Sequence, residues 1–174
     1  MSDQPIPDVE GAIRLLRSPD VQVRQFVAYL LGQVGDARAI EPLIEALKDD
    51  DVGVQGAAAN ALGALGDQSA VPYLFPLLKH KNRQLVVWVA FALTRLGHDY
   101  FDVLEAALSD SAVAVRRSGV LAMQQLGDRR AVGPLLALCD DQERRFEADS
   151  TVAEAATKAL ISLGYNVGRI PPKS

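Results

Sequence analysis

The chain has 174 residues, of which 49% are apolar and 23% charged, with a formal net charge of −4. That balance is ordinary for a folded chain and excludes a disordered polyelectrolyte. The net negative charge gives no general attraction to nucleic acid or anionic lipid.

No apolar run approaches the roughly 20 residues of a membrane span. The opening MSDQPIPD lacks the charged-then-apolar pattern of a secretion signal. Cys139 is the single cysteine and has no disulfide partner. These features predict a cytoplasmic protein that contacts neither membrane nor nucleic acid.

Residues 1–7 are expected to be a flexible N-terminus. The segment PDVEGAIRLLRSPD (7–20) then reads as an isolated helix resembling the second half of a unit that recurs throughout the chain. The first full copy opens at Asp20-Val-Gln-Val-Arg24. Its apolar residues Val23, Val27, Leu30, Leu31 and Val34 form one face at helical period. Gly35 ends that helix and Asp36 can cap the next. The second helix carries Ile40, Leu43, Ile44 and Leu47, with Pro42 in its first turn.

Gly35, Gly66, Gly97 and Gly127 mark the period, with spacings of 31, 31 and 30 residues. Leu31, Leu62, Leu93 and Met123 keep step with them. A half-copy with Val152, Leu160, Leu163 and Gly164 closes the series. Helix pairs this short cannot bury both faces alone, so neighbouring pairs must stack.

The second copy contains VGVQGAAANALGALG (52–66), an unusually bare first helix. Glycines 53, 56 and 63 each cost about 1 kcal/mol relative to alanine in a helix interior. Close approach to both neighbouring helices would offset that through dispersion contacts. Phe26 and Trp88 flank Ala57 in register, and Tyr29 and Phe91 flank Asn60. Two arrangements are open: the aromatics lean across the small helix, or they wall a notch that accepts a side chain or a flat ligand.

In the third copy, Tyr73 replaces the proline of other copies, and Pro76 falls inside the second helix, where it should bend it. The short turn Gly97-His98-Asp99 follows, leading to Tyr100 and Phe101. His98-Asp99 has no nucleophile nearby and is read as a cap. Cys139 aligns with Leu47, Leu78 and Leu108, which predicts a buried apolar thiol. Asp20 with Arg24, and Asp110 with Arg116, are expected to form ion pairs along the turns. Arg116-Arg117 and Arg144-Arg145 should share one edge, neutralised by Asp140, Asp141, Glu143, Glu147 and Asp149. Residues 140–150 lengthen the last connection, and 165–174 read as an extended tail.

The D-x-x-V-[RQ] opening, the L-G-x-x-G-D turn and the A-[IV]-x-P-L-[IL]-x-A-L second helix resemble the short HEAT-like repeats of phycobilin lyases and many bacterial repeat proteins. The resemblance implies an all-α, right-handed solenoid of about five repeats forming one domain over 8–164. It implies surfaces rather than chemistry. Deoxyhypusine hydroxylase has a similar helix pattern and holds two irons with repeated His-Glu pairs. This chain has two histidines, His80 and His98, and neither precedes a glutamate. They cannot supply a di-iron site, nor with Cys139 a zinc site, so no metal or other cofactor is expected.

In such an array the second helices line the concave face. Its outward positions are predicted to be Glu41 and Glu45, then Pro72, Tyr73 and Pro76, then Asp102, Val103 and Ala106, with Gly133 and Ala137 beyond. This reads as a docking patch for a partner protein, with no catalysis of its own. The alternative that the resemblance allows is a bilin lyase or isomerase, or a phycobiliprotein-turnover subunit, holding a tetrapyrrole or its client protein. A tetrapyrrole's propionates call for arginine or lysine beside aromatics, and only Lys48 and Lys79 stand at the rim of this face.

Overall fold

The computed structural model describes residues 8–139 and 152–166, and among them regular structure is helical, with no strand. The chain falls into two compact units, Met1–Tyr100 and Phe101–Ser174. In the first unit the helices are α1 (Val9–Leu15), α2 (Val21–Val34), α3 (Ile40–Ala46), α4 (Val52–Leu65), α5 (Val71–Leu74) and α6 (Arg83–Arg95). In the second they are α7 (Phe101–Leu108), α8 (Val113–Leu126), α9 (Val132–Leu138) and α10 (Val152–Ser162).

The repeat punctuation acts as the sequence implies. Gly35, Gly66 and Gly127 adopt left-handed backbone conformations, with φ of 75°, 75° and 68°, that only glycine takes without strain. Each donates its N–H to the carbonyl four residues back, at Leu31, Leu62 and Met123. The aspartate that follows caps a short 3-10 turn, its carboxylate accepting from the N–H of Arg38, Ser69 or Arg130. The third copy has the left-handed glycine, Gly97, but no 3-10 turn after it. That connection falls at the boundary between the two compact units, Tyr100 and Phe101.

Burial follows the columns. Leu31, Leu62 and Leu93 in the first unit and Met123 in the second are fully buried. So are the second-helix leucines, Leu43 and Leu74 in one unit, Leu104 and Leu135 in the other. Each such side chain contributes about 1.5–3 kcal/mol of hydrophobic free energy.

The bare helix is explained by backbone contact. A Cβ on Gly32 would lie 2.7 Å from the Cα of Ala61, and one on Gly63 would lie 2.8 Å from the Cα of Ala92. These are the same contact in successive repeats. α2, α4 and α6 therefore pack side by side at a separation that no larger residue permits.

Candidate functional site

The second-helix surface of the first unit is built by α3 and α5. Leu43, Ile44 and Ala46 bury one side of α3 and leave Glu41 and Glu45 exposed on the other. Leu74 anchors α5, and Pro72 and Tyr73 face outward, Tyr73 at 49% exposure. Pro76 has no N–H to donate to the carbonyl of Pro72, and the chain tightens from α-helix into a 3-10 segment, Phe75–Lys79. The predicted bend is therefore a change of helix type.

Phe75, passed over in the sequence reading, is 38% exposed on this segment, and its ring meets those of His98 and Tyr100 edge-on. An unbroken α-helical period gave no signal for it. The end expected to be acidic carries mixed charge. Arg14 and Arg17, from α1 and the turn after it, line a depression of about 500 Å³ together with Glu41 and Glu45. Lys48 pairs with Glu45 at 2.9 Å. In the second unit, Asp102 and Ala106 are exposed on α7 and Val103 is half-buried; Gly133 and Ala137 are exposed on α9.

The first-helix surface of the same unit has a different character. Toward their N-terminal ends, α2, α4 and α6 enclose a trough of about 590 Å³. Its floor is the small-residue face of α4, at Gly53, Gly56, Ala57 and Asn60. Phe26 and Tyr29 of α2 stand on one wall, 62% and 50% exposed, and Trp88 of α6 forms the other. Trp88 leans over α4, its Cδ1 3.3 Å from where a Cβ on Gly56 would sit, while Phe26 stands clear of the floor. Phe91, the register neighbour of Asn60, is fully buried and meets Trp88 edge-on.

The turns hold the repeats in register. Arg24 does not pair with Asp20, which caps α2 through the N–H of Gln22. Its guanidinium makes a two-pronged bond to Asp49 in the turn before α4, at 2.7 and 2.9 Å, and donates to the Ser18 carbonyl. Hydrogen bonding from Arg24 holds the Asp49 carboxyl below its ordinary pKa, and that of Arg24 is raised in return. Gln55 and Arg116 occupy the equivalent positions and donate to the carbonyls of Asp49 and Asp110. Arg38 lowers the pKa of Asp36 to about 2 by side-chain and backbone hydrogen bonds.

Cys139 is half-buried rather than buried, its thiol 3.5 Å from the Leu135 carbonyl. His80 accepts the Asn82 N–H at Nδ1. Among the described residues, no group of three or more His, Cys, Asp or Glu side chains could hold a metal ion, and no helix is long and apolar enough to cross a membrane. The tail from 167 and the 140–150 segment, with Arg144 and Arg145, lie outside the described residues.

Helix pairs with left-handed glycine turns and recurring buried leucines in each unit define an α-solenoid repeat protein. The chain belongs to the HEAT-repeat proteins: a family described as HEAT repeats matches residues 9–94, and one described as PBS lyase HEAT-like repeat matches 115–141. No curated protein matches the sequence. Among solved structures, human deoxyhypusine hydroxylase in complex with glycerol is similar with a TM-score of 0.52 and 18% identity, over 89% of this chain and 73% of that one. An engineered protein gives 0.52 and 21%, over 90% and 79%. The complex of CpcE and CpcF of phycocyanin lyase from Nostoc sp. PCC7120 gives 0.42 and 18%, over 93% and 97%. At these identities the likeness to the first two concerns the fold alone.

Proposed function

We propose that this chain is a non-catalytic docking module that binds a partner protein on its second-helix surface. Glu41, Glu45, Pro72, Tyr73 and Pro76 of the first unit carry the contact, and Asp102, Val103 and Ala106 are the corresponding positions of the second. The supporting observation is the α5 segment. There two prolines and two large rings, Tyr73 and Phe75, lie exposed on a helix too short and too proline-rich to repack. Such a surface is preformed and loses little conformational entropy on binding. Aromatic anchors beside a charged rim are what protein interfaces favour.

A photo-crosslinking amino acid placed at Tyr73, and separately at Glu45, should yield the same adduct in cells. One placed at Gln33, exposed on α2, should not. Equal adducts from all three positions, or none, would count against this surface.

A further inference from the structure

We infer that the trough between α2 and α6 is a second binding site, and that it takes an uncharged, proline-containing peptide segment in extended polyproline conformation. The site is independent of the docking surface proposed above.

The lining decides the ligand's charge. No Asp, Glu, Lys, Arg or His borders the trough, in a chain where 23% of residues are charged. A phosphate, carboxylate or ammonium group would enter without a counter-charge. The side-chain amides of Gln22, Gln25 and Gln84, exposed, and of Asn60, half-buried, border the space and make no hydrogen bond to any described residue, so that in the free chain water serves them. Each offers two N–H donors and an acceptor. A ligand that replaces this water presents uncharged hydrogen-bonding groups, mainly acceptors, together with apolar rings for Phe26 and Trp88.

Peptide conformation then narrows the choice. A helix uses its own backbone groups and leaves none for the amides. A polyproline II segment has no internal hydrogen bonds, keeps every carbonyl free and holds its shape before binding. From Val52 to Asn60 the floor runs along eight helical steps, about 12 Å at ~1.5 Å each. That matches about four residues of polyproline II at ~3.1 Å each. Proline rings would pack against Phe26 and Trp88 while the amides donate to the carbonyls between them.

Trp88 is the chain's single tryptophan and lies in the wall, so its emission reports on the site. Titrating the full chain with acetylated, amidated hexaproline should give a saturable change in Trp88 emission. A hexapeptide with alternating glutamates should give none. Phe26→Ala, at a 62% exposed position, should weaken binding by about tenfold or more, the scale on which truncating an aromatic anchor acts. Gln25→Ala/Gln84→Ala should also weaken it, with circular dichroism unchanged in both variants. Tyr73→Ala should leave the titration as in wild type, which separates this site from the docking surface. A flat titration to millimolar peptide, an equal response to the glutamate peptide, or a response to maltohexaose but not hexaproline would overturn the assignment.

Discussion

α4 and α8 occupy the same place in their repeats, each 14 residues long and each closed by a left-handed glycine, yet they differ in the residues beside the buried column. Where α4 has Gly56, Ala57 and Asn60, α8 has Arg117, Ser118 and Leu121. Where Gly63 lets Ala92 approach, α8 carries Gln124. The buried columns match, with Leu62 and Met123 both inaccessible. One fold thus tolerates two different sets of residues beside the buried column. Helix propensity alone would reject α4; the neighbours it lets in make it stable.

That contrast can be tested by substitution. The largest effects belong to the backbone contacts. Gly32→Ala and Gly63→Ala place a methyl under 3 Å from a neighbouring backbone atom and should each lower stability by about 1–3 kcal/mol in urea unfolding. Those losses should appear despite the gain in helix propensity. Gly119→Ala in α8 meets nothing closer than Leu108 Cδ2 at 3.0 Å, with Ala107 Cβ and the Leu104 carbonyl oxygen at 3.2 Å, and its loss should be smaller, about 1 kcal/mol or less. Equal losses at all three positions would erase the distinction.

The caps come next. Asp51 caps α4 through the N–H of Val54, while the corresponding Ala112 gives α8 no side-chain cap. Asp51→Ala should destabilise by about 1 kcal/mol, and Ala112→Asp should stabilise by a similar amount, read as shifts of the urea midpoint.

The smallest effect is in acid. Asp36, with its folded pKa lowered to about 2, and Asp49, also lowered, stabilise the fold above the ordinary carboxylate range near pH 4. Their contribution is lost as pH falls from there through their folded values. The thermal midpoint should drop over that window, and Arg24→Met, which removes the partner of Asp49, should make the drop shallower.

Much of this architecture is legible in the sequence, because period, glycine turn and leucine column are local signals that agree. The outward residues of α3 and α5 follow from the same period. Other features depend on tertiary geometry. Asp20, Asp49 and Asp51 all lie near Arg24, and only the folded turn decides that Asp49 takes both prongs. Pro76 signals a break but not its form, so the helical period does not place Phe75 on the surface. The contrast between Trp88 leaning over Gly56 and Phe26 standing clear is a matter of tertiary packing, and register alone leaves both outcomes open.

The docking surface is most directly tested with the partner recovered by crosslinking, purified and titrated against three forms of the full chain. Binding measured by calorimetry should fall by about tenfold or more for Tyr73→Ala/Glu45→Lys, the loss an aromatic anchor and a reversed charge imply. It should be unchanged for Phe26→Ala. Wild-type affinity in the double variant would contradict a partner site on the second-helix surface.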